Sequence, residues 1–269
     1  MASTNTINAG TIPGAEDINM QEGNSHGVLL LHGFGDTPQT LRLLAGELHA
    51  AGYDVVGPLL PGHGRNVESF MRSRRSDWLA CARVELARMR ATHESVAIAG
   101  LSMGGAIAAI LASETPDTPA LVLMAPYLDM TPKVKIAAAT QWIWSSAAGA
   151  RQSRSPNSIL DPNERAKSLG YGGVYSGRLL YELWRLGVQA RHKLGQVKSP
   201  TLLIQSRTDP RVASTVAESA FAAIGAEEKK LVWVEGAGHV ITVDYGREKV
   251  FEEVKTWITS HTPAKAMTA

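Results

Sequence analysis

Ser102 stands between glycines in Gly100-Leu101-Ser102-Met103-Gly104, the one GxSxG in the 269 residues. A serine hydroxyl becomes an effective nucleophile only when a base removes its proton, and that base needs an acid to hold its tautomer. The glycines of such a motif leave room for a strained turn that lifts the hydroxyl clear of a sheet edge. The flanks fit this elbow: Val96, Ile98 and Ala99 read as a buried strand, and 106–112 has high helix propensity with no proline before Pro116.

The partners of an elbow serine follow it in the chain, on loops beyond later strands. His239 ends Gly236-Ala237-Gly238-His239, directly after the apolar run LVWV at 231–234, and is the expected base. His32 and His63 precede the serine in glycine-bearing turns and are expected to brace loops through ring hydrogen bonds. His49 and His93 fall at helix ends, His26 before a strand, His192 in a helical segment and His261 near the end of the chain. Two acids compete. Asp129 follows ALVLMAPYL and Asp209 follows TLLIQSRT; Asp209 is preferred because it sits in a short loop between a clean strand and a helix, where it also suits a capping role. A tetrahedral oxyanion needs two backbone donors, one after the nucleophile and one from the first strand-to-helix loop. Those are the amides of Met103 and Phe34, the latter in His32-Gly33-Phe34-Gly35 with its ring towards the acyl group.

These residues need a scaffold, and the hydrophobic pattern supplies one. Apolar runs at 28–31, 53–56, 120–125, 201–205 and 231–234 read as strands like the elbow strand, with a short one near 16–20. Between them, 37–51 carries Leu41, Leu44 and Leu48 at helical spacing, and helices are expected at 76–92, 212–224 and 247–259. Strands alternating with helices predict an α/β fold with a mostly parallel central sheet flanked by helices, and ligand chemistry at the carboxyl ends of the strands. The interval from Pro126 to Pro200 is far longer than a crossover requires. It holds one apolar helix-like piece (VKIAAATQWIWSSAAGA), a polar proline-bearing stretch and an amphipathic helix, and reads as a small, mainly helical cap. The expected domains are a core at 15–126 and 198–261, a cap (lid) insertion at 127–197, and flexible tails at 1–14 and 262–269. Trp142 and Trp144 in the cap are candidates for an apolar substrate pocket, although tryptophan in a helix is more often ordinary packing.

Composition narrows the function. A net charge of +2 with scattered basic residues gives no footprint for nucleic acid. One cysteine, Cys81, excludes an intramolecular disulfide and two-thiolate zinc chemistry within one chain, and reads as a small core residue. No metal site is expected. The first residues have neither a basic start nor an apolar run, and no stretch approaches a membrane span, so a soluble, cytoplasmic protein is expected.

LLLHGFGDTP, PGHG, DWL, GLSMGG, TDPRV and GAGHVITVDYGRE, in this order, resemble the α/β-hydrolase superfamily, and more narrowly the bacterial carboxylesterases and monoacylglycerol lipases with a small single cap. The resemblance covers nearly the whole chain from Gly14 to Thr259. It implies an α/β-hydrolase fold, the acid at Asp209, oxyanion amides at Phe34 and Met103, and hydrolysis of short or medium acyl esters, including monoacylglycerols, with no cofactor. The partner implied is a small-molecule ester; transient contact with lipid surfaces and either a monomer or a homodimer are compatible. The same triad also serves carbon-carbon bond hydrolases, perhydrolases and peptidases, and the apolar, tryptophan-bearing cap leans towards uncharged esters. A non-catalytic, ligand-binding homologue would normally lack a triad member, and here none is missing.

Overall fold

The computed structural model of the protein describes residues 10–148, 151–152, 158–169 and 174–262. In chain order its elements are β1 (Ile18–Met20), β2 (His26–Leu31), α1 (Arg42–Ala50), β3 (Asp54–Gly57), α2 (Val67–Arg72), α3 (Arg75–Arg90), β4 (Ser95–Leu101), α4 (Met103–Glu114) and β5 (Leu121–Met124). There follow α5 (Pro132–Ala139), α6 (Gln141–Ala148), β6 (Arg151–Gln152), α7 (Pro162–Ala166), β7 (Val174–Tyr175) and α8 (Gly177–Lys193). The chain closes with β8 (Thr201–Ser206), α9 (Ser214–Ala223), β9 (Lys229–Val234) and α10 (Arg247–His261).

Seven of the strands form one sheet in the order β1-β3-β2-β4-β5-β8-β9, while β6 and β7 pair separately. All neighbours in the sheet run parallel except β1 and β3. Continuous apolar strands demand cover on both faces, and alternation divides them between two cores. Leu29, Ile98, Leu121 and Leu203 point to one face, where α3, α4, α8 and α9 bring Leu86, Ile107, Leu183 and Ala217. Leu30, Ala99, Val122 and Leu202 point to the other, where α1 and α10 bring Leu44, Leu48, Val254 and Ile258. The sheet is therefore sandwiched between helical layers, and β4 sits at its centre. This is the α/β-hydrolase fold, with every loop at the carboxyl ends of β2, β4, β5, β8 and β9 opening on one edge.

Several expectations need correction. The helix expected over 37–51 opens as a 3-10 turn at Pro38–Leu41 before α1 begins, because Pro38 starts the turn and Thr37 supplies no side-chain cap. Nothing in the apolar spacing announced α2, which buries Phe70 in the core and is capped by Asn66 Oδ1 accepting from the Ser69 amide at 2.8 Å. The single helix expected in the insertion is broken at Thr140, whose hydroxyl donates to the Ile136 carbonyl and ends α5. Its amphipathic helix, α8, packs on α4, with Leu179, Leu183, Leu186 and Ala190 in the main core. Cys81 is half-buried against that core. Residues 10–14, read as tail, are pinned by Ile12 donating to the Gly64 carbonyl at 2.7 Å. Residues 1–9 and 263–269 of the expected tails, and Gly170, Gly172 and Gly173, lie outside the described residues. No helix among the described residues is long and apolar enough to cross a membrane.

Candidate active site

β4 ends in the elbow. Ser102 has φ 56° and ψ −116°, a left-handed backbone that few side chains adopt without strain. Its surroundings hold it there: the Ser102 amide donates to the Met124 carbonyl at 2.9 Å, and its own carbonyl accepts from Tyr127 at 2.9 Å. The two flanking glycines are required by space. A Cβ on Gly100 would lie 2.2 Å from the Gly104 carbonyl oxygen, and one on Gly104 would lie 2.0 Å from that of Leu31. Elbow, helix α4 and strand β2 thus meet backbone to backbone.

His239, on the loop after β9, meets this serine. His239 Nε2 lies 2.7 Å from Ser102 Oγ, and its Nδ1 lies 2.7 Å from Asp209 Oδ2. An ionised carboxylate only accepts, so Nδ1 carries the proton and Nε2 is left to accept from the serine hydroxyl. Both side chains are secluded, with Ser102 and His239 each 6% exposed. Asp209 receives four donors. Oδ2 accepts from His239 and from Gln205 Nε2 at 2.8 Å, and Oδ1 accepts from the amides of Arg211 and Val212 at 2.7 and 3.0 Å. Burial works to raise its pKa, but the His239 charge, the hydrogen bond to it and the two amides outweigh burial and hold the carboxyl below its ordinary value. Asp209 caps the turn 209–212 rather than α9, which starts only at Ser214.

Asp129, the competing acid, is engaged elsewhere. It pairs with Lys135 at 2.8 Å and Arg191 at 2.6 Å, linking the end of β5 to α5 and α8. Burial pushes its pKa up, yet these cations and the Met130 amide pull it below the ordinary range.

Met103 follows the serine directly, and Phe34 follows Gly33, where an added Cβ would stand 3.4 Å from Ser102 Cβ. Met103 is the first residue of α4, where a helix leaves its N–H groups free, and Phe34 follows β2. The Phe34 loop is shaped by His32, which donates from Nδ1 to the Gly33 carbonyl at 2.9 Å and accepts from the Leu60 amide at Nε2. Those two partners fix its tautomer, and burial, then the neighbouring His63, keep it neutral. The Phe34 ring, expected to face the acyl group, packs in an aromatic cluster with Phe70, Trp78 and His63. Of the two tryptophans named as pocket candidates, Trp142 is 75% exposed, and Trp144 is half-buried and donates from Nε1 to the Ala137 carbonyl at 3.0 Å.

Sequence reasoning missed four neighbours of this site. Gln205 is hidden inside an apolar strand. Asp36, in the Phe34 loop, is pushed up to about 6 by burial, against the pull of the Thr37 amide, Thr40 and His239. Tyr127 presents its ring edge-on to His239 at 6.5 Å, and burial raises its phenol to about 12. Asp244 binds the backbone beside His239. Asp36 and Asp244 gave a signal, each standing in a run that carries the family resemblance, LLLHGFGDTP and GAGHVITVDYGRE.

Comparison with known proteins places this geometry. The family model described as serine aminopeptidase, S33, matches residues 24–245. The chain belongs to that α/β-hydrolase family. A thermostable monoacylglycerol lipase of Bacillus sp. (strain H-257) is 31% identical over 250 residues, covering 93% of this chain and 96% of the relative. A carboxylesterase of Bacillus subtilis (strain 168) is 27% identical, covering 87% and 92%. A solved structure of the metagenome-derived lipolytic enzymes LipS and LipT is 31% identical with a TM-score of 0.85, covering 93% of this chain and 100% of that one. Within the family the protein is thus a lipase- and esterase-like serine hydrolase.

Proposed function

We propose that the enzyme hydrolyses short to medium acyl esters, monoacylglycerols among them, through a Ser102-His239-Asp209 triad and an acyl-enzyme. The carrying observation is the unbroken chain of two 2.7 Å contacts from Ser102 Oγ through His239 to Asp209, on a serine held in an elbow. Ser102 Oγ attacks the ester carbonyl while its proton passes to His239 Nε2, and Asp209 stabilises the imidazolium. The carbonyl oxygen, now an oxyanion, is bound by the amides of Phe34 and Met103. Collapse of this intermediate breaks the bond to the alcohol, which leaves with the proton from His239. Water then repeats the cycle on the acyl-enzyme, giving the free acid and restoring Ser102. No step calls for a metal or an organic cofactor.

We read 127–197 as a cap over this site. Ile136, Trp142 and Ile143 in it are 66%, 75% and 62% exposed, and this apolar surface is where a lipid aggregate would touch.

The test is a substrate panel with Ser102→Ala beside the native protein. Nitrophenyl esters of increasing acyl length and a monoacylglycerol should be turned over, aminoacyl amides should not, and Ser102→Ala should lose about 10⁴-fold or more of the turnover while remaining folded. A fluorophosphonate should label the native protein and not the variant. Native turnover in the variant would refute the triad, and hydrolysis of aminoacyl amides in place of esters would reassign the substrate class.

A further inference from the structure

Asp244 follows His239 by five residues and is 1% exposed. A carboxylate removed from water must find donors at both oxygens. Backbone amides provide them. Oδ2 accepts from Gly238 at 2.7 Å and Leu160 at 2.8 Å, and Oδ1 accepts from Asp161 and Tyr245, both at 2.9 Å. Gly238 immediately precedes His239, whereas Leu160 and Asp161 belong to the insertion between β5 and β8.

The contact is reciprocal. The Ser158 carbonyl accepts from the His239 amide at 2.8 Å and the Val240 amide at 3.1 Å. Ser158 Oγ accepts from Arg211 Nε at 2.9 Å, two residues beyond Asp209. There is no slack in the fit, because a Cβ on Gly238 would stand 2.6 Å from the Ser158 carbonyl oxygen and 3.0 Å from Asp244 Oδ2. Segment 158–161 is therefore bonded to the loops that carry both His239 and Asp209.

From this geometry we infer that Asp244 is a positioning residue for His239, and that segment 158–161 of the insertion is part of the seat of the histidine. Asp244 clamps the amide preceding His239 to the same segment that receives the His239 amide itself. The backbone so fixed lets one imidazole reach Ser102 Oγ and Asp209 Oδ2 at once. Asparagine cannot substitute. Whichever way its amide is turned, the NH2 group meets two N–H donors, either those of Gly238 and Leu160 or those of Asp161 and Tyr245. The inference rests on the reading of His239 as the base.

The experiment measures kcat, KM and melting temperature for Asp244→Asn on nitrophenyl butyrate, well below the melting transition. Ser102→Ala, His239→Ala and Tyr53→Phe are run beside it. Tyr53 is buried before β3, four strands away from β8 in the sheet, and its hydroxyl bonds to the Thr262 carbonyl, so Tyr53→Phe controls for a loss of stability alone. A displacement of the imidazole by about 1 Å predicts a fall in kcat of about 100-fold for Asp244→Asn. KM should stay within about 3-fold, because substrate still binds. Tyr53→Phe should keep the native kcat. Should Asp244→Asn fail to fold, Gly238→Ala serves in its place, pushing segment 158–161 away with the same expected loss of kcat. Native kcat in the folded variant, with Ser102→Ala and His239→Ala inactive, overturns the inference. An equal loss of kcat in Tyr53→Phe overturns it too, since stability would then explain the effect. Activity in His239→Ala would instead overturn the reading of the triad.

Discussion

His63, packed against Phe34, ties the stability of the fold to pH. Its ring is fully buried among Phe34, Phe70, Trp78 and His32, with Nδ1 donating to the Leu60 and Pro61 carbonyls at 3.2 Å and Nε2 without a partner among the described residues. Burial lowers its pKa from 6.5 to about 4, the bonds to Pro61 and Leu60 only partly opposing it. A depressed histidine binds its proton more readily in the unfolded chain, so its contribution is fully present above 6.5 and is lost as the pH falls towards 4. The linkage gives a loss of about 2 kcal/mol at pH 5 and about 3 kcal/mol at pH 4. Asp36 works in the opposite sense. With its pKa raised to about 6, the folded state holds a proton that the unfolded chain releases near 4, and stability falls as the pH rises through that window. The clean measurement is therefore a difference between variants. His63→Asn keeps a donor near the Nδ1 position, removes the titration and leaves Asp36 and His32 in place. Urea unfolding of both proteins at pH 7.5, 5 and 4 should show His63→Asn less stable at pH 7.5, because the ring leaves a cavity. Its deficit should shrink by about 3 kcal/mol on going to pH 4. Parallel stability curves over that range would refute the argument.

The two acids separate on activity. Asp209→Asn should lower kcat by roughly 10³ to 10⁴, because the amide no longer fixes the His239 tautomer, while Asp129→Asn, which weakens two half-exposed ion pairs, should stay within about 2-fold of native turnover. The reverse ranking in esterase assays would move the acid to Asp129. Gln205→Met removes a donor from Asp209 Oδ2 while keeping its bulk, so the carboxylate is held less firmly towards His239. Esterase kcat should fall about 10-fold with KM nearly unchanged. Native kcat in the folded variant would reduce Gln205 to a packing role.

The parts of this site that were legible in the sequence are those whose chemistry is written in local spacing. The elbow announces itself because a strained serine needs small neighbours on both sides, and His239 because a glycine-bearing loop follows a clean strand. What stayed hidden depends on partners remote in the chain. Gln205 looks like a polar interruption in TLLIQ, and becomes a ligand of Asp209 only because the chain reverses at 206–209 and returns the acid to the strand end. Asp244 stands in the run GHVITVD that carries the resemblance, yet its partners are hidden, because segment 158–161, more than 80 positions earlier, brings it two amides. α2 was missed for a related reason, since it is held by a cap and one buried side chain, Phe70, rather than by a stripe of leucines. The same division bears on Asp129 and Asp209, which the sequence ranks only by the short strand-to-helix loop around Asp209. Each follows a buried parallel strand, and the choice is made by what else reaches them: two cations from α5 and α8 for Asp129, and one imidazole, one carboxamide and two amides for Asp209. A carboxylate already matched by two fixed cations gains little by turning to a histidine. One bonded to an imidazole, a carboxamide and two amides keeps its charge for the imidazolium that the proposed mechanism forms at His239.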